Sequence, residues 1–269
     1  VGRLRADSLL LRELGRLREQ SFRAVGEGTG RAVDVDAYDT WYEHIVLWDA
    51  DALQIAGAYR VCRGADVLAT RGLKGLYTAS LFDFGPEAQA HVAEGMELGR
   101  SFVAPAYWGS RSLDYLWIGI GAYLRAHPDV RYLFGPVSIS AELPIAAREQ
   151  LVAYYGQHYG APGVLAPVEA APPARARRPF QFLADAPCYR GLDAEQSFRV
   201  LRANLDALGA KVPVLYKQYT ELCEPGGARF LAFGVDPDFA NCVDGLIEVD
   251  LQRIKPKKFQ RYIAGEIAA

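Results

Sequence analysis

Hydrophobic positions recur along the 269-residue chain with two different periods. In residues 6–25 the apolar positions Leu11, Leu14, Phe22 and Val25 fall on one stripe, which predicts a helix. Residues 44–50 (HIVLWDA) and 54–62 (QIAGAYRVC) read as two short strands joined around Asp51 as a hairpin. Residues 76–82 give a weaker strand pattern, and residues 86–94 a short helix with proline in its first turn. Residues 96–104 (MELGRSFVA) form a strand pattern. Ser110 is placed to cap a long apolar helix over 110–127. A strand at 132–140 and a helix at 143–160 follow. Helices at 193–209 and 212–223 and strands at 227–236 and 242–251 complete the pattern, and the tail 255–263 is basic with aromatics.

This order predicts an α/β fold around one mixed sheet. Residues 161–180 carry five prolines with an Ala/Arg bias and read as an exposed connector. The expected organisation is a core over 1–160, a connector over 161–190 and a C-terminal extension over 191–269 that completes the domain. No internal repeat is visible.

Composition narrows the class. At 51% hydrophobic residues the chain can bury a substantial core. A net charge of -2 provides no global cationic field for nucleic acid. No run of 18 apolar residues occurs, as a spanning helix would require. Cys62, Cys188, Cys223 and Cys242 are scattered and form no ligand cluster with the four histidines, so they read as reduced thiols and no metal site is expected. The first residue is Val1, so the chain is expected to begin inside a longer polypeptide.

Some residues break the patterns. Arg18 shares the helical stripe of Leu11, Leu14, Phe22 and Val25, either snorkelling at its edge or aiming a cation at an anionic group. Asp34, Asp36 and Asp39 put three carboxylates within six residues, as a solvated cap or as an acidic pocket for an ammonium. A calcium loop would need a central glycine and a distal glutamate that this stretch lacks. His44 and Asp49 have the H-x4-D spacing of glycerolipid O-acyltransferases, but strand alternation points them to opposite faces. Glu97 and Arg100 lie in an otherwise apolar strand, where unpaired charge is costly. A β-bulge at Gly99 would bring both to one face, as a couple lining a cleft or as a structural ion pair. Arg60 is open to the same two readings. Gly109 and Ser110 open the next helix, where free N–H groups can hold a phosphate.

Taken in order, these pieces resemble a family, the acyl-carrier-protein-dependent N-acyltransferases. Its branches make lyso-ornithine lipid, N-acyl amino acids and, more distantly, acyl-homoserine lactones. The resemblance is carried by L-R-E-Q-S-F with Arg18 and Phe22, by D-x-D-x-x-D with Asp34, Asp36 and Asp39, and by H-I-V-L-W-D. It continues through G-A-Y-R with Gly57 and Arg60, L-Y-T-A-S-L-F-D-F, E-L-G-R-S-F-V with Glu97, Gly99 and Arg100, and Leu116-Trp117. It covers roughly residues 10–160, and the ordered recurrence makes it specific. The later stretch through NCVDGLIEVDL looks like the extension of the lipid-forming and hemolysin-named branch, where the module is often fused behind an O-acyltransferase domain.

The resemblance implies a GNAT-like fold, with a mostly antiparallel central sheet flanked by helices. It implies that Glu97 and Arg100 are catalytic, Glu97 as base and Arg100 as its orienting partner. Arg18, Phe22, Asp36, Asp39 and Arg60 are then expected to bind the acceptor amino acid, ornithine foremost. Gly109 and Ser110 would hold the phosphopantetheine of an acyl-carrier-protein thioester, the donor in place of a tightly bound cofactor. The tryptophan that homoserine lactone synthases carry after the Arg-x3-Phe pair is absent, with Glu27-Gly28 in its place, which argues against S-adenosylmethionine. The loop YWGSRS is short for a coenzyme A pyrophosphate and favours a carrier protein. Leu116, Trp117 and Ile120 are expected to pack the core or to wall an acyl tunnel. Basic patches at Arg175, Arg177 and Arg178, or at Lys255, Lys257, Lys258 and Arg261 with Phe259 and Tyr262, would meet an acidic carrier protein or anionic lipid. The expected location is cytoplasmic, with contact at the inner membrane surface. The competing readings are a long-chain N-acyl amino acid synthase with another acceptor, a glycerolipid O-acyltransferase using His44 and Asp49, and a non-catalytic carrier- or lipid-binding module.

Overall fold

The computed structural model describes residues 1–165, 172–183, 186, 187 and 189–265. Cys188 and part of the 161–190 connector lie outside the described residues. A short strand β1 (Gly2–Arg3) precedes helix α1 (Leu9–Arg23), which starts where the Ser8 hydroxyl accepts the Leu11 N–H. The hairpin is β2 (Glu43–Asp49) and β3 (Gln54–Arg63). Helices α2 (Gly64–Arg71) and α3 (Thr78–Leu81), strand β4 (Phe82–Phe84) and helix α4 (Pro86–Ala93) lead into β5 (Gly95–Val103). Helix α5 (Ser112–Ala126), β6 (Tyr132–Ile139), α6 (Ile145–Tyr159) and β7 (Ala174–Ala176) follow. The chain continues with α7 (Ala194–Ala207), α8 (Val214–Leu222), β8 (Ala228–Asp236), β9 (Cys242–Asp250) and α9 (Pro256–Phe259).

The main sheet has seven strands in the order β1-β2-β3-β5-β6-β9-β8, and β4 pairs with β7 separately. Every neighbouring pair in the main sheet is antiparallel except β5–β6. That one parallel pair is short, running from Gly95↔Tyr132 to Glu97↔Phe134. Beyond it β5 stays paired with β3 and β6 with β9, so the two strands diverge and the sheet opens as a V. One face is covered by α1, whose Leu14 and Phe22 pack with Ala58, Phe102 and Phe239. The other face carries the larger core, where Leu116, Trp117 and Ile120 of α5 meet Val61 and Leu98, with residues of α6 and α8 beside them. Those α5 residues are core, and the walls of the V come from elsewhere.

Three local expectations change. Residues 76–81 are not a strand, which begins only at Phe82: α3 forms because the Tyr77 and Thr78 N–H groups are claimed by Tyr42 Oη and Glu97 Oε1, a long-range interaction that a local pattern does not carry. Helix α5 begins two residues after Ser110, which donates to the Tyr107 carbonyl and accepts the Ser112 N–H instead of capping from the first turn. The bulge in β5 is present, but the residue in the left-handed region is Arg100, with φ 47°, while Gly99 does not need to be glycine for conformation.

Candidate active site

The bulge sets the site. Gly99 pairs with Arg60 and Phe102 with Ala58, which leaves Arg100 and Ser101 opposite Tyr59 alone. The extra residue shifts the phase of β5. Leu98 faces the α5 core, whereas Glu97, Arg100 and Phe102 face the side of α1. The acid and the guanidinium therefore share a face, yet they do not touch.

Glu97 is 1% exposed, and both its oxygens are used, one by Tyr42 Oη at 2.6 Å and one by the Thr78 N–H at 2.8 Å. Burial pushes its pKa up against those donors and the charge of Arg60. It lines neither of the large cavities described below. Expected as a base aimed at substrate, Glu97 is placed instead against Tyr42 and the turn that carries Tyr77. Arg100 is not its orienting partner. Arg100 Nε lies 3.0 Å from Asp34, its Nη2 lies 3.7 Å from Asp36, and its guanidinium rests on the rings of Tyr77 and Phe239.

Behind Glu97 lies a sealed ion cluster. Arg18 Nη1 donates to Asp39 at 2.7 Å, Arg60 Nη1 lies 3.2 Å from the other Asp39 oxygen, and His44 Nε2 sits 3.1 Å from Asp39. Arg60 also donates to Asp36 at 2.6 Å. Arg18, Asp39, His44 and Arg60 are each at most 1% exposed. Arg18, Asp39 and Arg60, expected to contact the acceptor, lie sealed here with their charges engaged by one another, and Asp39 with Asp36 orders the loop by a reciprocal cap. His44 is committed here, and Asp49 accepts the Tyr107 hydroxyl at 2.6 Å, so the two do not form a catalytic couple. Burial holds the His44 pKa below its ordinary value.

Two large cavities meet in front of this cluster. The first, of about 530 Å³, fills the V between Leu98–Ser101 on β5 and Pro136–Ser138 on β6, with Phe22, Leu215, Tyr219 and Phe239 among its apolar walls. The second, of about 510 Å³, is polar and lies over Asp34, Asp36, Asp236 and Asp238, with Arg31 and Arg178 at its rim. Tyr77 and Arg100 line both and form the partition between them. Tyr77 Oη donates to Asp236 at 2.7 Å. Of the expected site residues, Phe22 and Arg100 line the V and Asp36 and Arg100 line the polar cavity. Gly109 and Ser110 line neither and are exposed beyond the end of β5.

Sequence reasoning missed Tyr77, Asp236, Asp244 and Glu27. The last two line the V. The signal for Asp244 was available: a carboxylate inside the apolar strand CVDGLIEVD is the same anomaly that singled out Glu97. Among the described residues no group of three or more His, Cys, Asp and Glu side chains is arranged to hold a metal ion, and no helix is long and apolar enough to cross a membrane.

The chain matches the acetyltransferase (GNAT) domain family over residues 17–118. It is 31% identical to a glycine N(alpha)-acyltransferase of Phocaeicola vulgatus, over 94% of this chain and 80% of the relative. It is 32% identical to an L-ornithine N(alpha)-acyltransferase of Rhodobacter capsulatus, over 97% of this chain and 93% of the relative. The chain belongs to the N(alpha)-acyltransferases. It is an acyltransferase with a GNAT domain, and the mixed, mostly antiparallel sheet flanked by helices is the fold expected of one. A solved CoA-dependent acyl-homoserine lactone synthase, MesI, aligns over 87% of this chain and 73% of that one with 12% identity and a TM-score of 0.35, too loose a likeness to argue from.

Proposed function

We propose that this N(alpha)-acyltransferase moves a fatty acyl group from a thioester on acyl carrier protein to the α-amine of ornithine. The observation that carries this reading is the pair of cavities joined at Tyr77 and Arg100, one largely apolar and one of mixed charge. An acyl-pantetheine arm suits the V, where past the short β5–β6 ladder the β5 edge has no strand partner. Its free amides can polarise the thioester carbonyl. The polar cavity offers Arg31 and Arg178 to a carboxylate and Asp36 and Asp238 to a side-chain ammonium. That room exceeds what glycine needs, which favours a longer acceptor.

Thioesters are activated, so a neutral amine held against the carbonyl suffices as nucleophile, and most of the rate comes from positioning. The carrier-protein donor is supported by the exposed Arg177 and Arg178 beside the polar cavity. The basic tail is a weaker candidate, since Arg261 is tied to Asp114.

The test is incubation of the purified protein with fatty acyl carrier protein or fatty acyl-CoA and ornithine, lysine or glycine, with products read by mass spectrometry and free thiol by absorbance. Acyl-ornithine from the carrier-protein thioester is expected. Acylation of glycine alone would overturn the acceptor, and equal use of coenzyme A would overturn the donor. In the same assay Glu97→Gln should slow turnover by less than about tenfold, because a positioning role lacks the roughly 10²–10⁴-fold contribution of a proton-transfer group. A loss of three orders of magnitude in a folded variant would restore Glu97 as the base.

A further inference from the structure

The V holds a buried carboxyl that forms no salt bridge among the described residues. Asp244 lies mid-strand in β9, opposite Ser138 of β6 and Gly234 of β8, is 2% exposed and lines the cavity. The Ser138 hydroxyl donates to its Oδ1 at 2.7 Å. Arg100, the cation whose charge it feels, pairs with Asp34 and Asp36 instead. Glu27 lines the same cavity from the turn after α1. A nearly buried carboxyl without a salt bridge among the described residues, at an apolar cavity wall, is costly unless it has a use.

We propose that Asp244 receives the α-ammonium of the acceptor and takes its proton, so that the freed amine attacks the thioester. This rests on the acyl-transfer reading above and names the residue that reading lacks now that Glu97 is sealed. The acceptor lies in the polar cavity with its α-nitrogen directed past Tyr77 into the V, where Asp244 provides the opposite charge. One N–H proton passes to Asp244 and from there to solvent. The nitrogen lone pair forms the C–N bond, and the C–S bond breaks as a second N–H proton goes to the departing sulfur. The products are the amide, the free thiol and one proton.

The electrostatics agree with that use. Burial, then the charge of Asp236, pushes Asp244 up to about 7 against the Ser138 hydrogen bond, and burial, then Asp244, pushes Glu27 up to about 8. A base is most effective when its pKa lies near the working pH. The groups facing Asp244 are Glu27 after α1, Tyr77 and Arg100 at the partition, Asp236 on β8, Cys242 on its own strand, Lys211 at the cavity mouth and Tyr216 on α8. Only ionised Asp244 accepts the proton, so activity should fall as pH drops below about 7.

The experiment measures initial rates of thiol release and amide formation from pH 5.5 to 9 for wild type, Asp244→Asn and Ser138→Ala, with a thermal melt of each. Asp244→Asn should lose about 100-fold or more in kcat, lose the acid limb and keep the KM for the acyl donor. Ser138→Ala, which removes a donor to the ionised carboxylate, should move the acid limb upward. If Asp244→Asn does not fold, the Ser138→Ala limb decides, and an unmoved limb overturns the proposal. A folded Asp244→Asn within about threefold of wild type with its limb intact, or a limb abolished by Glu27→Gln instead, also overturns it. A wild-type protein that acylates no amino acid overturns the acyl-transfer reading itself. An active wild type with an indifferent Asp244→Asn overturns only this assignment.

Discussion

Asp39→Ala is expected to destabilise the protein by about 3–5 kcal/mol, because it strands buried guanidinium charge. Among the described residues Asp39 is the one carboxylate that touches Arg18, His44 and Arg60 together, and all four side chains are withdrawn from water. Without it Arg60 keeps Asp36 at 2.6 Å, but Arg18 retains only the Asp34 carbonyl at 3.4 Å. Burial works against the charge on Asp39. The His44 hydrogen bond and the charges of Arg60 and Arg18 nevertheless hold its pKa well below the usual carboxylate range. A depressed folded pKa contributes stability that is present above the unfolded value, near 4, and is lost as pH falls below it. The loss should therefore appear in full at neutral pH in urea unfolding, as a midpoint shift without a change of slope, and shrink in acid. It is a large part of the roughly 5–15 kcal/mol that holds a domain together. Replacing the Arg18–Asp39 pair by apolar residues of similar volume should recover much of it. An Asp39→Ala protein as stable as wild type would mean that the cluster is not sealed as described.

The same cluster shows what a single chain reveals. Arg18 stood out because it shared a stripe with Leu11 and Leu14, and the Asp34–Asp39 carboxylates stood out as a run; both signals were sound as signs of unusual placement. Neither carried the partner. Whether a charge in a core element meets substrate or another charge depends on what folds over it, and here the 34–39 loop lies against Arg18, Arg60 and Arg100. Regular elements were legible because their periods are local, which is why the β2–β3 hairpin, β5, β6 and the amphipathic helices fall close to their expected positions. Residues 73–84 were not, since their path is dictated by Glu97 and Tyr42, which lie 19 and 35 residues away from their partners. The bulge was legible as a phase problem, two charges three apart in an apolar strand, but its strained residue proved to be Arg100. That residue tolerates the left-handed backbone in the place where the partition between the cavities needs its guanidinium.

Gly135→Ala is expected to damage stability and activity together, and it tests the V directly. Gly135 sits on β6 one residue past the last β5–β6 pair, at the apex where the strands separate. A Cβ there would lie 2.0 Å from the Leu98 carbonyl oxygen and 3.1 Å from its carbon, so backbone must move. Neither strand is free to do so: β6 is held along its whole length by β9, and β5 by β3. Overpacking against fixed backbone costs about 1–3 kcal/mol and sometimes more. The displaced atoms belong to Leu98, which lines the V cavity, so the damage should reach catalysis as well as folding. Gly99→Ala is the matched control, for it has no atom within 4 Å of its added Cβ and no positive φ, and it lies one residue along the same wall. Thermal melts and thiol-release rates on both variants separate the cases. If the alanine at 135 is tolerated and the one at 99 is not, the strands do not part where Leu98 meets Gly135.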